Sequence, residues 1–313
     1  MKAAVITSFH QPPSYSDYTD PTPSGRGEML VEVLAAGLHH VTRGRASGAH
    51  YSGVGKLPLV PGMDGVGKGP DGKLRYFVVS PDQIGSMAEK TVIEVDHSIK
   101  LPSGCDPVTI AAAMNPAMAS WLALRCRVPF RKKMKVLVLG ATGSSGSLAV
   151  QIARYLGASQ VIAAGRNENK LAHLPALGAT DIVTLGDSRL GTLAREVDIV
   201  LDFVWGESAA KNIETVLTQR ADRSRLLTWI HVGSMAGDIA AIPGLFLRAA
   251  NFQIVGSGLG SVTGRDILKE LPSLIKEITR GRFQIDAKPV PLSEVEHMWT
   301  ATPSNGERIV FTP

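Results

Sequence analysis

Cysteine is nearly absent: Cys105 and Cys126 are the only two in 313 residues. Two thiols cannot build a disulfide framework or a four-cysteine zinc knot, so both read as small buried hydrophobes, and nothing suggests an oxidising compartment. Aromatic residues are scarce, at 5%, and are not interleaved with basic ones as a base-stacking surface requires. The net charge of +5 therefore does not point to nucleic acid, and the one dense basic run, RCRVPFRKKMK from Arg125 to Lys135, reads as a solvated face. No uninterrupted apolar run approaches the roughly 20 residues that span a bilayer. The N-terminal MKAAVITSFHQPP lacks the long apolar core and small-residue cleavage site of a signal peptide and reads as a first strand. No membrane partner is expected, and the cytoplasm is the expected location. With 44% hydrophobic and 19% charged residues the composition is that of a globular protein, long enough for two domains.

What is present changes texture along the chain. From residue 1 to 115, short strands such as MLVEVLAAG, LRYFVVS and KTVIEVD are separated by proline and glycine, which predicts a β-rich, barrel-like domain. From 116 to 258, strand and helix alternate: KVLVLGA, QVIAAG, DIVTL, VDIVLDFV, LLTWIHVG and FQIVGS are the strands of a doubly wound parallel sheet. From 259 to 313 a helix, RDILKELPSLIKEITRG, leads into Pro-rich strands like those of the first part, so the chain is expected to return and complete its first domain.

The segment VLVLGATGSSGSLAVQIARYLGA, Val136 to Ala158, carries the strongest chemical signal. Four apolar residues predict a strand covered on both faces, and Leu148, Ile152 and Leu156 recur at helical spacing. Between them, Gly140, Gly143 and Gly146 let the backbone approach a diphosphate, whose charge the unsatisfied N–H groups of the following helix bind. Gly140, Ala141, Thr142, Gly143, Ser144, Ser145 and Gly146 are thus candidate cofactor contacts. No Lys-Ser or Lys-Thr follows the last glycine, which excludes a mononucleotide P-loop.

The next strand tests which dinucleotide is held. QVIAAGRNENK ends in Gly165, Arg166 and Asn167, where an NAD binder places an acid on the ribose hydroxyls. A guanidinium there suits a 2′-phosphate, Lys170 adds a second charge, and Asn167 is a further candidate contact to the same phosphate. NADPH is the expected cofactor; the bland alternative makes Arg166 a solvated helix-start residue.

Over nearly its whole length the chain resembles the medium-chain dehydrogenase/reductases of the zinc-independent quinone oxidoreductase type. PLVPGMDGVG, GSMAEKTVI, AAAMNPAMASWLAL, the glycine segment, HVGSMAG, QIVGSG and PVPLSEVEHMW with ERIVF carry the resemblance. It implies a GroES-like β-barrel catalytic domain from both chain ends, a Rossmann NADPH-binding domain between them, and a cleft where they meet. It also implies homodimers formed by pairing the last strand of the dinucleotide sheet, FQIVGS. Gly233, Ser234, Ser257 and Gly258 are then expected by the nicotinamide end, with Asn115 and Ser120 as weaker candidates, and Val204 either packs on the cofactor or is plain core.

Zinc-dependent relatives place a cysteine, a His-Glu pair and a further cysteine or acid where this chain has His39, Met63 with Asp64, and Met114 with Asn115. One imidazole and one acid fall short of the three protein ligands of a catalytic zinc, so no metal is expected. The Tyr-x-x-x-Lys pair of the short-chain dehydrogenases is missing after all five tyrosines. Without zinc, quinones and conjugated enones are the expected substrates, because their charge spreads over the conjugated system while the protein positions them. His39 and Tyr51 are the expected proton donors or substrate contacts, with water as the alternative, and His40 is expected to face the cofactor phosphates. Alternative functions are an aldehyde or ketone reductase and a non-enzymatic NADPH-sensing protein.

Overall fold

The computed structural model describes residues 1–49, 56–80, 83–301 and 306–313. Strands β1 (Lys2–Val5) and β2 (Ser14–Asp17) pair antiparallel. They are followed by β3 (Glu28–Gly37), α1 (His40–Ala46), β4 (Asp64–Lys68), β5 (Leu74–Val78), β6 (Lys90–Glu94), β7 (Ser98–Lys100) and α2 (Pro107–Cys126). In β3 the alternation is plain: Val31, Val33 and Ala35 are buried while Glu32 and Leu34 between them are exposed, as one face on the core and one on solvent requires.

The α/β alternation then runs β8 (Lys135–Leu139), α3 (Ser144–Tyr155), β9 (Gln160–Gly165), α4 (Glu168–Leu171), β10 (Asp181–Thr184), α5 (Arg189–Ala194), β11 (Ile199–Asp202), α6 (Ser208–Thr218), β12 (Leu227–His231), α7 (Phe246–Ala249) and β13 (Phe252–Gly256). These six strands form one parallel sheet in the order β10-β9-β8-β11-β12-β13. Strand order reverses between β8 and β11, the point at which such sheets bind nucleotides beyond their carboxyl ends. Val136, Leu137, Val138 and Leu139 are fully buried, as a strand covered on both faces must be. Each such side chain contributes roughly 1.5–3 kcal/mol relative to an exposed one.

Helix α8 (Gly264–Thr279), β14 (Ala287–Pro291), α9 (Val295–Met298) and β15 (Arg308–Thr312) close the chain. Strand β14 pairs parallel with β15, which joins β3, so that β14-β15-β3-β4-β5-β7, with β6 also on β3, make a seven-stranded sheet. The chain accordingly divides into a first unit, Met1–Asn115 with Leu271–Pro313, and a second, Pro116–Glu270. The return to the first unit falls at Leu271, inside α8, not at 259 as the sequence texture suggested. At the start of α8, Glu270 accepts from Trp121 Nε1 at 3.0 Å and pairs with Arg125.

Two sequence expectations are refined by the helices. By length and composition α2 could cross a membrane, yet 67% of its most apolar window is buried, as in a core helix that is apolar all round. The basic run of residues 125–135 is also partly committed: Arg127 donates to the Gly256 and Ser261 carbonyls at 2.7 and 2.9 Å, and Lys135 pairs with Glu196. Arg131, Lys132 and Lys133 stay exposed.

Candidate functional site

The glycine turn follows β8 directly. Gly140 has φ +85°, a conformation that L side chains rarely adopt, and the N–H groups of Gly140 and Ala141 both donate to the Ala164 carbonyl at 2.9 Å. Gly143 is the N-cap of α3 in extended conformation, with no side chain capping the helix. The first N–H groups of a 12-residue helix thus have no intrahelical acceptor and carry the positive end of its dipole. Gly165 ends β9 with Thr142 packed on it: a Cβ there would lie 2.6 Å from Thr142 Cγ2. This brings the end of β9, and exposed Arg166 just past it, beside the diphosphate turn. Asn167 is exposed, and its Oδ1 caps α4 by accepting from the Lys170 N–H at 3.0 Å.

At the ends of β11 and β12, the register sets Leu139, Asp202 and His231 in one row. Asp202 is fully buried, and burial pushes its carboxyl above the usual range, against the N–H groups of Trp205, Trp229 and Val204 that stabilise the anion. Its Oδ1 accepts from Val204 N–H (2.8 Å) and Trp205 N–H (3.0 Å), and its Oδ2 from Trp229 Nε1 (2.9 Å). Val204, left open between cofactor and core, lies on the glycine turn: a Cβ at Gly140 would be 3.2 Å from its Cγ2. Gly233 N–H donates to the Asp202 carbonyl at 3.1 Å, Ser234 Oγ lies 3.2 Å from His231 Nε2, and Ser257 N–H reaches the His231 carbonyl at 2.9 Å. The predicted residues Gly233, Ser234 and Ser257 are thereby gathered at the carboxyl edge of the sheet. Gly258 N–H is held by Ser261 Oγ at 2.7 Å. Ser120 is buried on the Ala117 carbonyl, and Asn115 is half-buried in α2.

In the first unit, His39 is only 1% exposed. Its Nε2 lies 3.0 Å from Asp64 Oδ1, Tyr76 O–H donates to Asp64 Oδ2 at 2.8 Å, and Arg308 Nη2 donates to His39 Nδ1. A donor on Nδ1 requires the proton on Nε2, so neutral His39 links the Arg308 cation to the Asp64 anion. Both ring nitrogens are engaged and the ring is buried, an arrangement that weighs against His39 as the proton donor expected from the sequence. Burial, foremost, and the Arg308 cation pull its pKa down against the raising effect of Asp64. His40, exposed at the start of α1, is also lowered, by desolvation and by Arg43 and Arg308. Burial lowers Arg308 to about 10, and its Nε is buried without a partner. Tyr51 lies outside the described residues.

These histidines set an acid-side stability limit. A folded pKa below the ordinary value of 6.5 means that the unfolded chain binds more protons as the pH falls through that value, so stability present above pH 6.5 is lost below it. His39, His40 and His231 all have that sign. Stability is expected to drop between pH 7.5 and 5.5, with buried His39 contributing up to about 1.4 kcal/mol per pH unit and exposed His40 much less, a loss that thermal melting follows. His39→Gln should flatten the profile most, and equal slopes in that variant and the parent would show that His39 does not titrate this way.

The donor set does not suit zinc. His39 and Asp64 offer two ligands, and a guanidinium on the imidazole repels a dication. Among the described residues, no three His, Cys, Asp or Glu side chains come together. Arg308, Tyr76, Trp205 and His231 were not singled out from the sequence as site residues; Asp64 was noted there only as standing where zinc-dependent relatives have a His-Glu pair.

The sequence pattern of the family described as "Zinc-binding dehydrogenase" matches residues 146–279, a stretch that includes neither His39 nor Asp64. The chain is 31% identical to "Probable NADPH-dependent quinone reductase tdiC" of Emericella nidulans, with all of both chains covered. It is 28% identical to "NADPH-dependent alkenal/one oxidoreductase, chloroplastic" of Arabidopsis thaliana over 56% of this chain and 50% of that one. Among solved structures, the quinone oxidoreductase of Thermus thermophilus, described with its NADPH complex, superposes with a TM-score of 0.84 at 28% identity over the full length of both chains. Similarity over the whole chain, together with a sheet and glycine turn built for a dinucleotide, places this protein in the medium-chain dehydrogenase/reductase superfamily as a quinone oxidoreductase-like member.

Proposed function

We propose that this protein is an NADPH-dependent oxidoreductase that reduces quinones or α,β-unsaturated carbonyls by hydride transfer. The observation that carries the reading is the uncapped start of α3 behind Gly140–Gly146 with exposed Arg166 beside it, a seat for a diphosphate and a 2′-phosphate. Bound there, NADPH supplies the hydride. The chain's own residues bind and orient it: the glycine turn and α3 N–H groups hold the diphosphate, Arg166 and Lys170 the 2′-phosphate, and Gly233, Ser234, Ser257 and Gly258 flank the nicotinamide end. Asn115 and His40 are weaker contacts in the same proposal. Asn167 serves by capping the α4 turn that follows Arg166.

With His39 committed to its buried link, water is the proton source that this reading favours, alongside Tyr51. The chemistry is proposed to be zinc-independent, on the donor set described above. The protein is proposed to be cytoplasmic, with small-molecule substrates and neither membrane nor nucleic-acid partners. A homodimer through β13, the edge strand of the parallel sheet, is part of the same proposal.

The test is oxidation of NADPH and NADH by purified, chelator-treated protein with quinones, straight-chain enones and saturated aldehydes. Turnover of quinones or enones with NADPH is expected. Preference for saturated aldehydes would favour the carbonyl-reductase reading, and no turnover in protein that binds NADPH would favour the sensor. Arg166→Ala is expected to weaken NADPH by about 10- to 100-fold, the loss of one charge-assisted contact of roughly 1.5–3 kcal/mol, and to leave NADH nearly unchanged. Equal losses for both cofactors would remove Arg166 from the 2′-phosphate.

A further inference from the structure

One bulky residue at the carboxyl edge of the parallel sheet holds a backbone conformation that favours glycine. Trp205 has φ +50°, the left-handed region that is an outlier for a bulky side chain. Several contacts hold it there: the Asp202 carboxylate accepts its N–H at 3.0 Å, Ser208 Oγ donates to its carbonyl at 3.1 Å, and Ala236 N–H fixes the preceding Val204 carbonyl at 2.8 Å. The buried Asp202 is itself anchored by Trp229 Nε1. A glycine would sit at this position without strain. The chain instead keeps an indole there, half-buried, its ring centroid 4.5 Å from that of His231 at a tilt of 49°. His231 Nε2 continues to Ser234 Oγ at 3.2 Å.

Location gives this pair its meaning. Strand β11 lies between β8 and β12, and a Cβ built on Gly140 in the diphosphate turn would lie 3.2 Å from a methyl group of the residue before Trp205. Strain that surrounding contacts enforce concentrates at binding sites, where it fixes a side chain in place before the ligand arrives. We infer that Trp205, braced by His231, is a wall of the dinucleotide site that packs against NADPH beside the glycine turn. This rests on the NADPH reading above and adds to it a binding residue just past β11. The apolar and aromatic surface of the indole, preset by its backbone, contributes affinity without ordering cost on binding.

Calorimetric titration with NADPH, paired with thermal melting, separates a wall from a packing residue. Trp205→Gly relieves the left-handed strain and is expected to melt within a few degrees of the parent while binding NADPH at least 10-fold more weakly. Trp205→Phe, which keeps a ring, is expected to stay within about 3-fold of the parent. If Trp205→Gly binds NADPH as tightly as the parent, the inference is overturned and the indole only covers the core. If Trp205→Gly does not fold, His231→Ala carries the test, because it removes the brace and leaves the β11 backbone alone: a several-fold loss supports the inference and unchanged affinity overturns it. A parent that shows no NADPH binding would refute the cofactor reading first, a result distinct from all of these.

Discussion

Gly146→Val is expected to cost the second unit at least about 3 kcal/mol, a drop of about 6–12 °C in its melting temperature. Gly146 is buried at the start of α3, and a Cβ there would lie 2.2 Å from the Gly140 carbonyl oxygen and 2.7 Å from Ala141 Cα. Both obstacles are backbone, so no rotamer change relieves them, and α3 must move off β8. Three residues earlier the requirement is different. A Cβ at Gly143 would meet only the Gly140 oxygen, at 3.5 Å, and φ there is −82°, which any residue tolerates. Gly143→Ala is therefore expected to melt like the parent and yet lose NADPH affinity, since the added methyl group would stand on the turn proposed to hold the diphosphate. The glycines at 143 and 146 would separate recognition from packing. Differential scanning calorimetry with NADPH titration checks both variants; a Gly146→Val protein that melts within about 1 kcal/mol of the parent would contradict the packing argument.

The glycine turn could be read from sequence because its information is local. Four buried residues of β8, the turn and the α3 periodicity lie within one stretch of chain, and each element's period is set by its own neighbours. The His39 network could not. Asp64 stands 25 residues from His39, and Arg308 stands 269 residues away at the start of β15. Only the pairing of β15 with β3 brings that guanidinium to the imidazole, and no local pattern in ERIVF marks an arginine that faces inward. A histidine in a loop looked free to donate a proton because sequence shows neither its burial nor its partners. Trp205 was missed for a related reason: it falls just past the strand VDIVLDFV, and neither its left-handed backbone nor its bond to the buried Asp202 carboxylate has a local sequence mark.

Asp64→Ala is expected to be the most damaging substitution in the first unit, at about 3–5 kcal/mol. The carboxylate is the one anion among the described residues bonded to this buried group. It accepts from His39 Nε2 and Tyr76 O–H, and its charge counters the desolvation that lowers Arg308 to about 10. Removing it leaves a half-buried guanidinium, its Nε enclosed, held by a neutral imidazole, and strands two donors. Each unsatisfied donor adds its own desolvation penalty, roughly 1–3 kcal/mol. Asp64→Asn keeps an acceptor and the volume but not the charge, so it is expected to fall between Ala and the parent. The diagnostic variant is Asp64→Ala combined with Arg308→Met. An isolated buried cation is costly, whereas an apolar side chain of similar length is not, so the double variant should recover much of what the single one loses. Urea unfolding of the parent, both single variants and the double one gives the coupling energy directly. A coupling near zero would mean that Arg308 and Asp64 do not act as a pair and that His39 does not transmit charge between them.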